Sequence, residues 1–268
     1  MLMSLNLMDI TMDHSQIEAR AASLVEAAAS RSPYERMDGT LDEAYAVQRR
    51  YVEMAQARLG CGKPVGYKIA LTTRAMQTMV GVDQPLYGQV FASRVHADGA
   101  VLQLARHQHI GVEFEVALRL GSDIHASAIP HTRATVAASV DGLAVAYEFV
   151  EDRNADYAQI NAFSLVADNC WNAGVVIGEY QLLELSADAT TQLKINGEVA
   201  GQGLAGDALG HPLEALAWLA NAASAHGHVL RAGEFVMTGS SIRTTFPDAG
   251  DRYEFCVEGL GALSVAFA

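Results

Sequence analysis

Between residue 64 and the C-terminus, seven short runs read as β-strands: 64–71, 111–120, 142–150, 173–178, 191–196, 234–238 and 252–257. Gly, Pro and Asp break the chain between them, and only two helical stretches intervene. One lies near 132–141 after Thr132, and one runs from His211-Pro212 to about 225. A doubly wound parallel sheet needs strand and helix in regular alternation. Strands clustered in this way point instead to an α+β fold. Asn196-Gly197, between LKI and EVA, is a hairpin turn signal.

The N-terminal part has a different texture. Ile17, Ala21, Leu24, Val25 and Ala28 fall on one helix face within 14–31. Thr40-Leu41-Asp42-Glu43 has capping-box spacing and opens a second helix, whose stripe continues through Tyr45, Val52, Ala55 and Leu59. Gly60 and Gly62 end it. The chain therefore divides into a helical N-terminal lobe, 1–62, and a β-rich domain, 63–268. The opening MLMSLNLMDITMDH lacks the basic n-region and apolar core of a signal peptide, and its four Met in twelve residues point to an uncertain start site.

Composition excludes several functions. Lys+Arg total 18 against 31 Asp+Glu, a formal net charge of −13. So acidic a surface offers no broad footprint for nucleic acid or an anionic membrane. An anionic ligand must be drawn by a local positive site, either a metal or a few Lys and Arg. No apolar run reaches the roughly 20 residues of a membrane span. Cys61, Cys170 and Cys256 lie far apart without a CxxC pair, so they read as small core residues and not as a disulfide framework or zinc site. The expected class is a soluble cytoplasmic globular protein.

Three carboxylates carry the chemistry. In Val112–Leu118 the apolar residues Val112, Phe114, Val116 and Leu118 alternate with Glu113 and Glu115. Same-face residues on a strand sit roughly 6.5–7 Å apart, so the two Glu side chains can converge on one point. Such a pair repels unless a cation lies between, although a Glu pair on a wet strand face is also common. In Leu143–Val150, Glu148 interrupts a run that reads as buried on both faces, where a carboxylate needs a cation, a proton or several donors. Arg153 is one nearby partner. An all-oxygen ligand set suits Mg²⁺ or Mn²⁺ and argues against zinc. Lys68, within GYKIALT, is either a surface-edge lysine or a charge-balancing group able to bind an anion or transfer a proton. Gly201–Gly206 matches GxGxxG. It follows a hairpin and no helix begins until Pro212, so it reads as a glycine-rich turn and not a dinucleotide site.

GYKIALTTRAMQ, VDQPLYG, GVEFEVALRL, AYEFVEDR, VADNCWNAG, LGHPLEALAWLAN and AGEFVMTGS occur in this order. Together they resemble the fumarylacetoacetate hydrolase superfamily, in its 2-keto-4-pentenoate hydratase and 4-oxalocrotonate decarboxylase branch, over roughly residues 12–268. The resemblance implies a mixed β-roll preceded by a helical N-terminal segment, a divalent-metal site and homo-oligomeric assembly. It places Glu113 and Glu115 on the family's ExE glutamates and Glu148 on the third metal ligand. Lys68 falls on the active-site lysine. Asp168 and Asn169 fall on a pocket-shaping Asp-Asn pair, and Thr238, Gly239 and Ser240 on a segment near the bound carboxylate.

The departures bear on the reaction. Pro85-Leu86-Tyr87-Gly88 stands where hydratase-like relatives read Pro-Asp-aromatic-Gly. Leu86 cannot move a proton and resembles the decarboxylases, while Asp83 is three residues out of register. Glu151-Asp152 replaces Asp-Ser. Cys170-Trp171 replaces small residues, and Trp171 either narrows the pocket, stacks on an unsaturated substrate or belongs to the core. The expected activity is that of a metal-dependent lyase on 2-hydroxy-dienoate or 2-oxo-enoate acids, hydratase-like, as in aromatic meta-cleavage catabolism. The alternatives are a 4-oxalocrotonate decarboxylase, favoured by Leu86, and a non-catalytic binding paralogue or partner subunit. Catalytic roles fall on Lys68 and Glu113. A C–C bond hydrolase would need a His–Glu base; no such pair is evident by motif, and His107 and His109, just before the ExE strand, keep that option open while reading as exposed loop residues.

Overall fold

The computed structural model describes residues 12–268; the Met-rich opening and its start-site reading lie outside this range. Helix α1 (His14–Ser30) begins at Asp13, whose side chain accepts from Gln16 N while Gln16 returns a bond to Asp13 N. Helix α2 (Leu41–Arg58) is capped by Thr40 and Glu43 in the same reciprocal manner. It buries Ala44, Val47, Tyr51, Met54 and Ala55, one face of a 3.6-residue repeat.

The remaining elements are β1 (Pro64–Ala70), α3 (Arg74–Val80), β2 (Leu86–Phe91), β3 (Val95–His96), β4 (Ala100–Leu102), β5 (Ile110–Leu120), α4 (Arg133–Ala137), β6 (Val140–Glu151), α5 (Ala162–Ala167), β7 (Asn172–Ile177), β8 (Thr190–Ile195), β9 (Glu198–Leu204), α6 (Pro212–Ala225), β10 (Phe235–Met237), β11 (Arg252–Val257) and β12 (Gly261–Phe267). A seven-stranded mixed sheet runs β2-β1-β10-β5-β6-β7-β3, and a five-stranded sheet runs β4-β12-β11-β8-β9. All seven strand expectations hold to within two residues. The helix expected over 132–141 stops at Ala137, because Val140 already begins β6. Gly201 and Gly203 lie inside β9 and not in a turn, and Cys256 is exposed on β11 where a core position was expected.

The two sheets pack face to face. Phe114 meets Phe255 at 5.5 Å between ring centroids, and Tyr147 Oη donates to Leu263 O at 2.9 Å. The other face of the seven-stranded sheet is also closed, over a smaller cluster of Val90, Ala117, Ala146, Val175, Phe235 and Met237. Closure on both faces is possible because Ala117 and Ala146 stand where the curled sheet leaves little room. Helix α2 is tied to this sheet by Gln48, whose Nε2 donates to Tyr87 O and Val166 O, each at 2.9 Å.

Candidate metal and substrate site

Strands β5 and β6 are antiparallel, with Glu113 opposite Glu148 and Glu115 opposite Ala146. All three glutamates therefore point to the small closed face. One oxygen from each lies within 4.8 Å of the others. Glu115 and Glu148 are 1% and 0% exposed, so the alternative of a wet strand face is overturned. Lys68, opposite Gly88 in β2, is equally buried and not a surface-edge residue. Its Nζ lies 2.9 Å from Glu148 Oε1, which also accepts from Asn172 Nδ2 at 2.9 Å. Arg153 is not the partner of Glu148; it pairs with Asp168.

Gly239 completes the cluster. Its N–H donates to Glu115 Oε2 at 2.8 Å, and Thr244 Oγ1 donates to Glu113 Oε1 at 3.1 Å. Gly239 sits at φ +103°, and a Cβ there would come within 2.4 Å of Thr72. Only glycine can present its amide in this place.

Burial, augmented by the charges of Glu148 and Glu113, pushes the Glu115 carboxyl well above its ordinary range. Burial likewise raises Glu148 to about 7, against the lowering pull of Lys68. Burial opposes the Lys68 charge, but Glu148 and Glu113 outweigh it and hold the ammonium protonated. Ionised, the three glutamates and Lys68 carry a net charge of −2. Glu115 Oε1 and Glu148 Oε2 are buried and accept no hydrogen bond from the described residues. An all-oxygen set with net charge −2 and two unpartnered buried oxygens fits a hard divalent cation. A pH effect follows. Carboxyls raised in the folded state lend stability that is fully present below their unfolded value of about 4.5 and is lost as pH rises through about 7. Metal-free protein is thus expected to lose thermal stability across this window, and added Mg²⁺ is expected to raise Tm more at pH 7.5 than at pH 5.5. Parallel melting curves with Mg²⁺ and with chelator check this.

Leu86 is fully buried opposite Ala70, on the same face as Lys68 and one register step away. Asp83 is exposed in the loop before β2. The Asn169 amide clamps β2: Oδ1 accepts from Gln89 N and Nδ2 donates to Gln89 O, each at 2.7 Å. Thr238 Oγ1 donates to Val116 O, and Ser240 Oγ accepts from Phe114 N and donates to Ile242 O. Both hydroxyls hold the Gly239 segment on β5. Asp168 is buried against Arg153, and burial still raises its carboxyl to about 6. Trp171 is buried between Tyr34 and Tyr157, in edge contact with each.

Two pairs escaped motif reading. His107 Nδ1 lies 2.8 Å from Glu151 Oε2, and His109 Nδ1 lies 2.8 Å from Asp152 Oδ1. Neither histidine is a free loop residue, and a His–Glu pair does exist. Asp152, 1% exposed, also accepts from Tyr157 Oη and Asn154 N. His109 and Asp152 alternate onto the same face as Glu113 and Glu148, two register steps along. The signal lay in the Glu151-Asp152 departure, but nothing local in sequence joins it to residues 107–109.

Residues 65–268 match the fumarylacetoacetate (FAA) hydrolase C-terminal family, and the chain belongs to that family. It is 36% identical over 266 residues to a 2-keto-4-pentenoate hydratase of Burkholderia vietnamiensis, covering 95% of this chain and 98% of the relative. It is 34% identical over 233 residues to a 2-hydroxyhexa-2,4-dienoate hydratase of Comamonas testosteroni, covering 85% and 86%. The 4-oxalocrotonate decarboxylase of Pseudomonas putida G7, complexed with magnesium and adipate, superposes with a TM-score of 0.89 at 27% identity, over 96% of this chain and 99% of that one. The mixed α+β fold is that of the family. Among the described residues no helix is long and apolar enough to cross a membrane.

Proposed function

We propose that this protein is a divalent-metal-dependent lyase that adds water to a 2-hydroxy-dienoate or 2-oxo-enoate acid, as the names of its hydratase relatives describe. The observation that carries this reading is the convergent Glu113–Glu115–Glu148 triad, two of its carboxylates buried, with Lys68 bonded into it. Glu113, Glu115 and Glu148 would hold Mg²⁺ or Mn²⁺, which would supply Lewis acidity to a bound 2-oxo acid. Lys68 offsets one of the three carboxylate charges and holds a proton at Nζ beside the reacting region. Gly239 N–H, Asn172 and Thr244 fix the three carboxylates so that little reorganisation is needed on binding. Leu86 gives the face an apolar wall and moves no proton. His109, oriented by Asp152, is the acid–base group the chain offers on the same face. The reading extends to homo-oligomeric assembly and a cytoplasmic location.

A second reading, decarboxylation of 2-oxo-3-hexenedioate, is favoured by Leu86 and by the decarboxylase neighbour. To separate them, purified protein is offered 2-hydroxypenta-2,4-dienoate and 2-oxohex-3-enedioate, with Mg²⁺ or Mn²⁺ and with chelator, and products are read by mass spectrometry. Metal-dependent gain of water on the first is the expected result. Metal-dependent loss of CO₂ from the second establishes the alternative. Neither reaction, with metal bound, refutes both and leaves a binding subunit.

A further inference from the structure

A cavity of about 210 Å³ opens beside this site, far above the ~10–15 Å³ one water requires. It is lined by Arg31, Arg94, Arg106 and Arg153, four of only 18 basic residues in a chain of net charge −13. Its carboxylates are already satisfied. Asp168 is paired with Arg153. Glu151 accepts from His107 at 2.8 Å, from Gln108 N at 3.1 Å and from His109 N at 2.9 Å.

The other three guanidiniums have no acidic partner among the described residues. Arg31 donates to Ala105 O and Arg94 to Asn172 O, both neutral carbonyls, and Arg94 also lies over the Phe91 ring. Cations gathered on one cavity repel each other unless an anion is shared. Trp171, another wall, is 7% exposed, and its indole N–H finds no acceptor within the described residues. A buried donor without a partner is unfavourable and calls for an acceptor from outside the chain. Asn169, Cys170 and Trp171 all hold left-handed φ values of +51° to +59°, a conformation disfavoured for Cys and Trp that presents this wall. Asn172, also lining the cavity, bonds Glu148 and so joins it to the carboxylate triad.

We propose that this arginine-lined cavity is a carboxylate-binding site, taking either the second carboxylate of a dicarboxylic substrate or a separate small organic acid. Planar guanidiniums and an indole N–H match a carboxylate's paired acceptors.

The test reads Trp171 fluorescence in a Trp218→Phe background, since the chain has only two tryptophans. Adipate and hexanoate are titrated with Mg²⁺ and with chelator. Arg31→Gln, Arg106→Gln and the double variant are compared; both positions are exposed and the triad is left intact. We expect a saturable Trp171 response whose Kd rises about tenfold or more when both arginines are replaced. A response to adipate that needs both Mg²⁺ and the arginines assigns the site to a substrate's second carboxylate. A response that needs the arginines alone assigns it to a separate acid. No response to either acid, or a Kd unchanged in the double variant, overturns the proposal. Binding is read without turnover, so a protein with neither lyase activity leaves this assignment standing.

Discussion

Glu148→Gln is expected to abolish metal-dependent turnover, and to lower it by more than the roughly 10–100-fold that outer partners of metal ligands are worth. The amide can still accept from Lys68 and Asn172, so the fold around it is kept. What is lost is the charge: the oxygen left free of hydrogen bonds in Glu148 is replaced by an NH₂ that repels a cation. Lys68 also loses its contact counter-charge, and breaking a buried pair by removing one partner costs about 3–5 kcal/mol. Steady-state rates with Mg²⁺ or chelator, calorimetric Mg²⁺ titration and thermal melting check the three parts together. Wild-type turnover in the variant, independent of chelator, would sink the metal assignment.

Lys68→Met is expected to act on the opposite sign of the same balance. The methionine chain fills much of the lysine stem's volume, but three carboxylates then face one another with no ammonium among them. Metal-free protein should lose about 3–5 kcal/mol, a fall of roughly 10 °C in Tm for a chain of this size. Mg²⁺ binding should survive or tighten, because the site's formal charge goes from −2 to −3, while turnover falls. Melting curves and Mg²⁺ titration of the variant measure this. A variant that melts like wild type without metal would mean that the carboxylates are already protonated and need no cation.

The β-rich architecture was legible because alternation and turn chemistry are local. Val112–Leu118 announces its two faces, Asn196-Gly197 its hairpin, and Thr40 with Glu43 the start of α2. The elements that escaped notice are those whose pattern is weak by itself. Gly88 interrupts β2, and β12 (GALSVAF) carries Gly261 and small residues; each forms because a neighbouring strand supplies its hydrogen bonds. α4 is shorter than its sequence pattern because sheet pairing takes over at Val140.

Residue type and spacing, then, determined the fold class, the two helices that precede the first strand, and the glutamates and lysine worth watching. Only the tertiary structure decided which of them pair. Lys68 binds Glu148 across 80 residues, Arg153 turns to Asp168, and the hydroxyls of Thr238 and Ser240 are bonded to backbone carbonyls on either side of the Gly239 amide. The His109–Asp152 pair and the arginine cavity likewise join segments far apart in the chain. The physical reason is range. Periodicity and capping act over a few residues and are written in order along the sequence, whereas the charge balance of a buried site depends on which distant strands share a face.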